Sequence, residues 1–405
     1  MSDLECWIWF SGLRKLRFRT RRALLSRFGG AKELWFADRR ELDALPGLLP
    51  EEREEILLRD SQAPDRIVRR CAEEHVRILT FQDAAYPERL RNIPDPPYVL
   101  YVSGELPAID AEPVIAIVGT RNSTAYGNKM TRAIAAGVAA CGGIVATGLA
   151  AGIDSCAAAG ALDAGGIVLG VLGVAINRIY PSFNQPLYDR VREHGALISE
   201  YPPDAEGTKE WFPQRNRIIA GLSLGVVVPE APDRSGALIT AHRALDFGRD
   251  VFAVPANADS AKGRGSNRLI REGAALVTEA WDVMECYAPL YPEQISKNAA
   301  PLREAHSEAS GKSAERAPEE GGEFYLYRSP NPRQAGVSLK DQLEALNEQQ
   351  LKIVGVMDRA SMHVDDIIDL TQLPASAVLS ELTMLQIKGF VRQEQGKRFT
   401  LNISK

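Results

Sequence analysis

Val114-Ile115-Ala116-Ile117-Val118-Gly119-Thr120-Arg121-Asn122-Ser123, followed by Tyr126-Gly127, decides the fold. A short apolar, β-branched run ends in Gly-Thr-Arg, and a helix-like stretch opens near Tyr126. The pattern is strand, loop, helix, the opening unit of a parallel sheet. Ligands of open parallel sheets bind beyond the carboxyl ends of the strands. At such a place Gly119 lets the backbone approach a phosphate, Thr120 supplies a hydroxyl and Arg121 a charge. A tight turn carrying an incidental arginine reads the same way.

The next unit repeats the logic. Ile144-Val145-Ala146-Thr147-Gly148-Leu149-Ala150-Ala151-Gly152-Ile153-Asp154 is a strand, a glycine-rich turn and a helix start. Asp154 suits either a helix cap or a ligand contact. Further strands are expected at Ile167–Leu172, Ala196–Ser199, Gly225–Val228, Val251–Val254 and Ala275–Val277, most separated by helical stretches. This alternation predicts a doubly wound parallel α/β sheet. It lacks both Gly-x-Gly-x-x-Gly after the first strand and Gly-x-x-x-x-Gly-Lys-[Ser/Thr], so an ordinary dinucleotide fold and a P-loop are not supported.

Phe212-Pro213-Gln214-Arg215-Asn216-Arg217-Ile218-Ile219 places an aromatic ring and two arginines at an apolar helix start. A first helical turn offers unpaired N–H groups and the positive end of the dipole. Arginine forks suit phosphate, and a ring suits a base. Taken alone, the segment reads as solvated arginines and a core phenylalanine sooner than as an anion site.

Together the motifs resemble the DprA/Smf family of DNA-processing proteins. They run in family order: Gly119-Thr120-Arg121, Thr147-Gly148-Leu149-Ala150-x-Gly152-Ile153-Asp154, Tyr180-Pro181-x-x-Asn184, Ser199-Glu200-Tyr201-Pro202, Phe212-Pro213-x-Arg215-Asn216-Arg217, Ser235-Gly236-Ala237-Leu238-Ile239-Thr240 and Gly248-Arg249-Asp250-Val251-Phe252. The match spans about residues 76–285. Ala158 stands where the family usually has histidine. Ala175 and Asn177 replace the usual Gly and Asp, Ala256 stands where glycine is frequent, and Ser182 replaces a DNA-contacting lysine of some members. The resemblance implies a Rossmann-like single-stranded-DNA-binding protein that protects incoming DNA in natural transformation and helps load RecA recombinase. It also implies a homodimer. The candidate DNA-binding residues are Gly119, Thr120, Arg121, Gly148, Gly152, Phe212, Arg215, Asn216, Arg217, Ser235 and Gly236. No catalytic residue, metal or cofactor is expected.

Composition bounds this reading. The 405 residues are 45% hydrophobic and 25% charged, which suits a multidomain soluble chain. No stretch reaches membrane-span length, and the acidic start Met1-Ser2-Asp3-Leu4-Glu5 argues for the cytoplasm. Five widely spaced cysteines suggest free, mostly buried thiols. The net charge of −5 argues mildly against nucleic acid, but Arg14 to Arg27 carries seven basic residues and no acid. That run reads as an auxiliary DNA contact or as a solvated helix face.

Residues 1–75 read as a small helical domain, in which Leu45-Pro46-Gly47-Leu48 fits a SAM or helix-hairpin-helix-like turn and a generic small helical bundle equally well. Residues 76–288 are the extended α/β body, and 289–340 a polar linker. Residues 341–405 follow a winged-helix pattern whose third helix, from Pro374, is nearly uncharged. The rival reading is a nucleotide-binding enzyme of the related, lysine-decarboxylase-like phosphoribohydrolase family. Pro229–Leu238 lacks that family's paired glycines and final glutamate.

Overall fold

The computed structural model describes residues 1–297, 346–357, 362–387, 390–394 and 398–401. They fall into two compact units, divided near residue 308.

The first unit begins with six helices: α1 (Asp3–Gly12), α2 (Phe18–Phe28), α3 (Ala31–Phe36), α4 (Arg39–Asp43), α5 (Pro50–Leu58) and α6 (Gln62–Glu73). A nine-stranded sheet follows: β1 (Arg77–Thr80), β2 (Val99–Gly104), β3 (Val114–Ile117), β4 (Ile144–Thr147), β5 (Val168–Leu172), β6 (Gly195–Ser199), β7 (Gly225–Val228), β8 (Asp250–Ala253) and β9 (Ala275–Leu276). Between and after the strands lie α7 (Glu88–Arg91), α8 (Ala125–Ala140), α9 (Ile153–Asp163), α10 (Gln185–Glu193), α11 (Trp211–Leu222), α12 (Gly236–Asp246), α13 (Arg264–Arg271) and α14 (Trp281–Met284).

The strand order is β1-β2-β6-β5-β4-β3-β7-β8-β9. All seven expected strands are present, and β3 to β9 are mutually parallel. Strands β1 and β2 extend the sheet antiparallel beyond β6. Helices cover both faces, so β3, β4 and β5 are buried along their whole length and read as unbroken apolar runs. Alternate residues feed two cores: Ile115, Ile117 and Val145 on one face, Val114, Ala116 and Ala146 on the other. The chain builds β4, β5 and β6 to one side of β3, then returns to lay β7, β8 and β9 on the other. The switch point of the sheet therefore lies between β3 and β7.

The six N-terminal helices share a core with the sheet. Trp7 stacks on Tyr98 at 6.2 Å, Phe10 meets Tyr98 edge-on at 5.0 Å, and Trp7 Nε1 donates to Gln82 at 3.3 Å. The basic run is partly consumed by this packing. Arg17 pairs with buried Glu52, and Arg21 donates to the carbonyls of Phe10, Leu13 and Leu16. At the other end, the start of the expected linker packs on the body: Ile295 is buried and Ser296 N donates to Cys141 O. The rest of that linker, residues 298–340, lies outside the described residues.

The second unit contains α15 (Glu348–Val356), β10 (Met362–His363), α16 (Val364–Thr371), α17 (Ala375–Ile387), β11 (Val391–Glu394) and β12 (Arg398–Leu401), with strand order β10-β12-β11. Ile353, Ile367, Val378, Leu382 and Phe399 form its own core. The expected helices and two strands are found, and short β10 is an addition. The sequence also predicts a turn at Gly396 between the last two strands, which lies outside the described residues. Among the described residues no helix is long and apolar enough to cross a membrane. Cys6, Cys71 and Cys141 are buried free thiols, Cys156 is half-buried and Cys286 exposed.

Candidate nucleic-acid interface

A cleft of about 460 Å³ opens at the switch point, where the chain leaves β3 and β7. Gly119, Thr120 and Arg121 form one wall, Phe212, Arg215 and Asn216 from α11 a second, and Arg234, Ser235 and Gly236 ahead of α12 a third. Eight of the eleven candidate residues thus meet in one place.

The loops are held by their own backbones. Thr120 N donates to Glu230 O at 2.9 Å, and Ile153 N to Thr120 O at 3.1 Å. Buried Glu230 accepts from Thr124 N at 2.8 Å and Thr124 Oγ1 at 2.6 Å, tying the β3 and β7 loops together. Close approach requires glycine. A Cβ at Gly119 would lie 2.5 Å from Ile153, and one at Gly152, whose φ is +80°, would lie 2.4 Å from Thr120 O. A Cβ on Gly148 would lie 2.6 Å from both Arg215 and Asp154. Gly148 and Gly152 therefore shape the cleft from behind and do not line it.

The two arginines of α11 part company. Arg215 is buried and Nη1 donates to Gly148 O at 2.9 Å and to Val171 O. Its burial lowers its pKa against the pull of Asp154. Asp154 lines the cleft floor and accepts from Gly119 N at 3.3 Å. Burial raises its pKa, opposed by Arg215 and the Gly119 N–H. Arg217, expected beside Arg121, faces the opposite side of α11. There Nη2 binds both Glu200 oxygens at 2.7 and 2.9 Å, and Nε donates to Asp95 at 3.2 Å. Burial alone would lower the Arg217 pKa, but Glu200 and Asp95 outweigh it and hold it raised. The physical reason is helical geometry: residues two apart lie about 200° apart around the axis and cannot share a cleft.

Arg121 is different. It is exposed, no acidic partner lies against it among the described residues, and its guanidinium sits 5.4 Å from the centre of the Phe212 ring. Phe212 is half-buried, with the Tyr180 ring tilted beside it at 5.1 Å. Asn216 Nδ2 donates to Gly236 O at 3.3 Å, and Ser235 Oγ caps α12 by accepting from Ala237 N at 3.3 Å. The first turn of α12 thus opens into the cleft with its positive dipole end. Arg234, exposed and on the cleft rim, was missed as a site residue. The available signal was a lone cation in the loop after a parallel strand. An exposed guanidinium, a ring face, backbone N–H groups and hydroxyls can together hold a phosphate beside a flat base.

Residues 77–288 match the family model described as DNA recombination-mediator protein A, and residues 338–397 match the DprA winged helix domain. Protein Smf of Synechocystis sp. is 34% identical over 349 residues, covering 84% of this chain and 84% of that protein. The DNA processing protein DprA of Bacillus subtilis is 38% identical over 220 residues, 54% of this chain and 74% of that one. The X-ray structure of DNA processing protein A from Streptococcus pneumoniae superposes with a TM-score of 0.62 at 31% identity, covering 70% of this chain and 98% of that one.

Proposed function

The chain belongs to the DNA recombination-mediator protein A family, and from that premise we propose that it binds single-stranded DNA, without catalysis, in the cleft between β3 and β7. The observation that carries this reading is Arg121, a guanidinium in no salt bridge among the described residues, lying over the Phe212 ring at the switch point of the sheet. Gly119, Thr120, Asn216, Ser235 and Gly236 complete the contact surface. Arg215, Gly148 and Gly152 hold its shape. Arg217 acts at one remove, by fixing the far face of α11.

The ring favours unpaired bases, because stacking needs an exposed base face. Buried Glu230 is engaged with Thr124, and Pro229–Leu238 lacks the paired glycines and the final glutamate of the phosphoribohydrolase rival. By family resemblance the bound strand is incoming DNA, the protein works in the cytoplasm as a homodimer, and it hands the strand to RecA recombinase.

The test is binding of single-stranded and duplex oligonucleotides across a salt series. The wild type should prefer single strands. Arg121→Ala should weaken binding to all sequences alike and flatten the salt slope by about one unit. Phe212→Ala should cost about 1–3 kcal/mol of binding. Unchanged single-strand affinity in the Arg121→Ala, Phe212→Ala double variant would place the site elsewhere.

A further inference from the structure

Beside the cleft, the aromatic surface begun by Phe212 continues onto a second ring. Tyr180 leans against the Phe212 ring and is 48% exposed, and three residues on, Phe183 is 71% exposed. A single exposed aromatic means little. These two sit on one loop, after β5, and the loop is pinned. Tyr188 Oη donates to Tyr180 O at 3.0 Å, while Asn184 Nδ2 donates to Leu149 O at 3.0 Å and to Ser155 Oγ at 2.9 Å. The rings are therefore presented by a fixed backbone, and little ordering remains to be done when a ligand arrives.

Phe183 also borders a second, shallower depression of about 330 Å³. The two hollows share the first turn of α9: Asp154 faces the main cleft, and Ser155 and Cys156 face the second. Arg132 and Arg190 flank this depression and share one carboxylate, Asp163, at 3.2 and 2.9 Å. Two cations on one anion leave a surplus positive charge beside an exposed ring, the pairing that a nucleotide's phosphate and base require.

We propose that Tyr180 and Phe183 form a stacking track that carries a single strand out of the main cleft into the Arg132–Arg190 depression, so that Phe183 sets the number of nucleotides the chain engages. This rests on the single-strand reading of the main cleft. The ligand is the same polynucleotide, extended by further bases stacked on Phe183.

Full-length protein titrated with oligothymidylates of increasing length tests this. Phe183→Ala should leave the shortest bound oligonucleotides unaffected and weaken long ones by at least about fivefold, the low end of one lost base stack. Phe183→Trp should restore the length dependence, and its added fluorescence should be quenched by long but not short strands. If Arg121→Ala impairs binding while Phe183→Ala matches the wild type at every length, the track is wrong and the main cleft stands. If the wild type binds no oligonucleotide, both fall. A change in oligomeric state in Phe183→Ala, with binding per chain intact, would make this loop a contact between copies and overturn the track.

Discussion

At the scale of single residues, the candidate site shows what a motif leaves unsaid. Phe212-Pro213-Gln214-Arg215-Asn216-Arg217 reads as one basic patch, yet the helix turns its arginines to opposite sides, and each is spent on the fold. Arg217 holds Glu200 in a largely buried pair and reaches the more exposed Asp95, and removing one partner of a buried pair strands the other. Arg217→Ala should accordingly destabilise the folded chain by about 3–5 kcal/mol, read as a fall in unfolding midpoint in denaturant. A variant with normal stability and impaired strand binding would instead make Arg217 a direct contact. The helical period alone could have separated 215 from 217. What the sequence withheld was the partners, because Asp95 and Glu200 are distant in the chain and nothing near them names an arginine. Gly119-Thr120-Arg121 was legible for the opposite reason: its role follows from a local strand ending in glycine.

At the scale of elements, the sheet was legible because its central strands are buried on both faces and interrupted by helices of ordinary length. The attachment of the N-terminal helices was not. Trp7 and Phe10 announce a core without saying whose, and they pack on Tyr98 of the extension. The basic run likewise hid a structural use. The side chain of Glu52 is fully buried and accepts from Arg17 N at 3.1 Å, Arg17 Nε at 2.9 Å, Thr20 Oγ1 at 2.9 Å and Leu49 N at 2.9 Å. One carboxylate thus caps the starts of both α2 and α5. The Arg17 hydrogen bonds lead in lowering its pKa from 4.5 to about 2. A carboxylate depressed in the folded state stabilises above its unfolded pKa and loses that contribution as pH falls through the folded one. The helical region should hence lose stability from about pH 4.5 down to about 2, and Glu52→Gln should be less stable at neutral pH while losing less over that window. Acid titrations of both proteins by circular dichroism decide it. Parallel titration curves would show that Glu52 contributes nothing to the acid response.

At the scale of the molecule, a net charge of −5 coexists with a cationic cleft because screening in salt limits exposed charges to about 8–10 Å. The same distance argument applies to the winged-helix unit. Its third helix, α17, is Ala-Ser-Ala-Val-Leu-Ser-Glu-Leu-Thr-Met-Leu-Gln-Ile, without a single Lys or Arg. Its one acid, Glu381, accepts from Gln350 Nε2 at 2.6 Å and Asn347 Nδ2 at 3.3 Å, and Asp366 and Asp369 on α16 are exposed. Phosphate neutralisation dominates nucleic-acid affinity, and neither helix supplies it. The α/β unit, by contrast, has its own core and contains every residue of the cleft. Deleting residues 341–405 should leave single-strand affinity within a few-fold of the full chain, while an activity that depends on a protein partner falls. Side-by-side titrations of the full chain and residues 1–340 measure this directly. A hundredfold loss, about 2.7 kcal/mol, would mean that the strand is held by both units and that the cleft between β3 and β7 is only part of the DNA-binding surface.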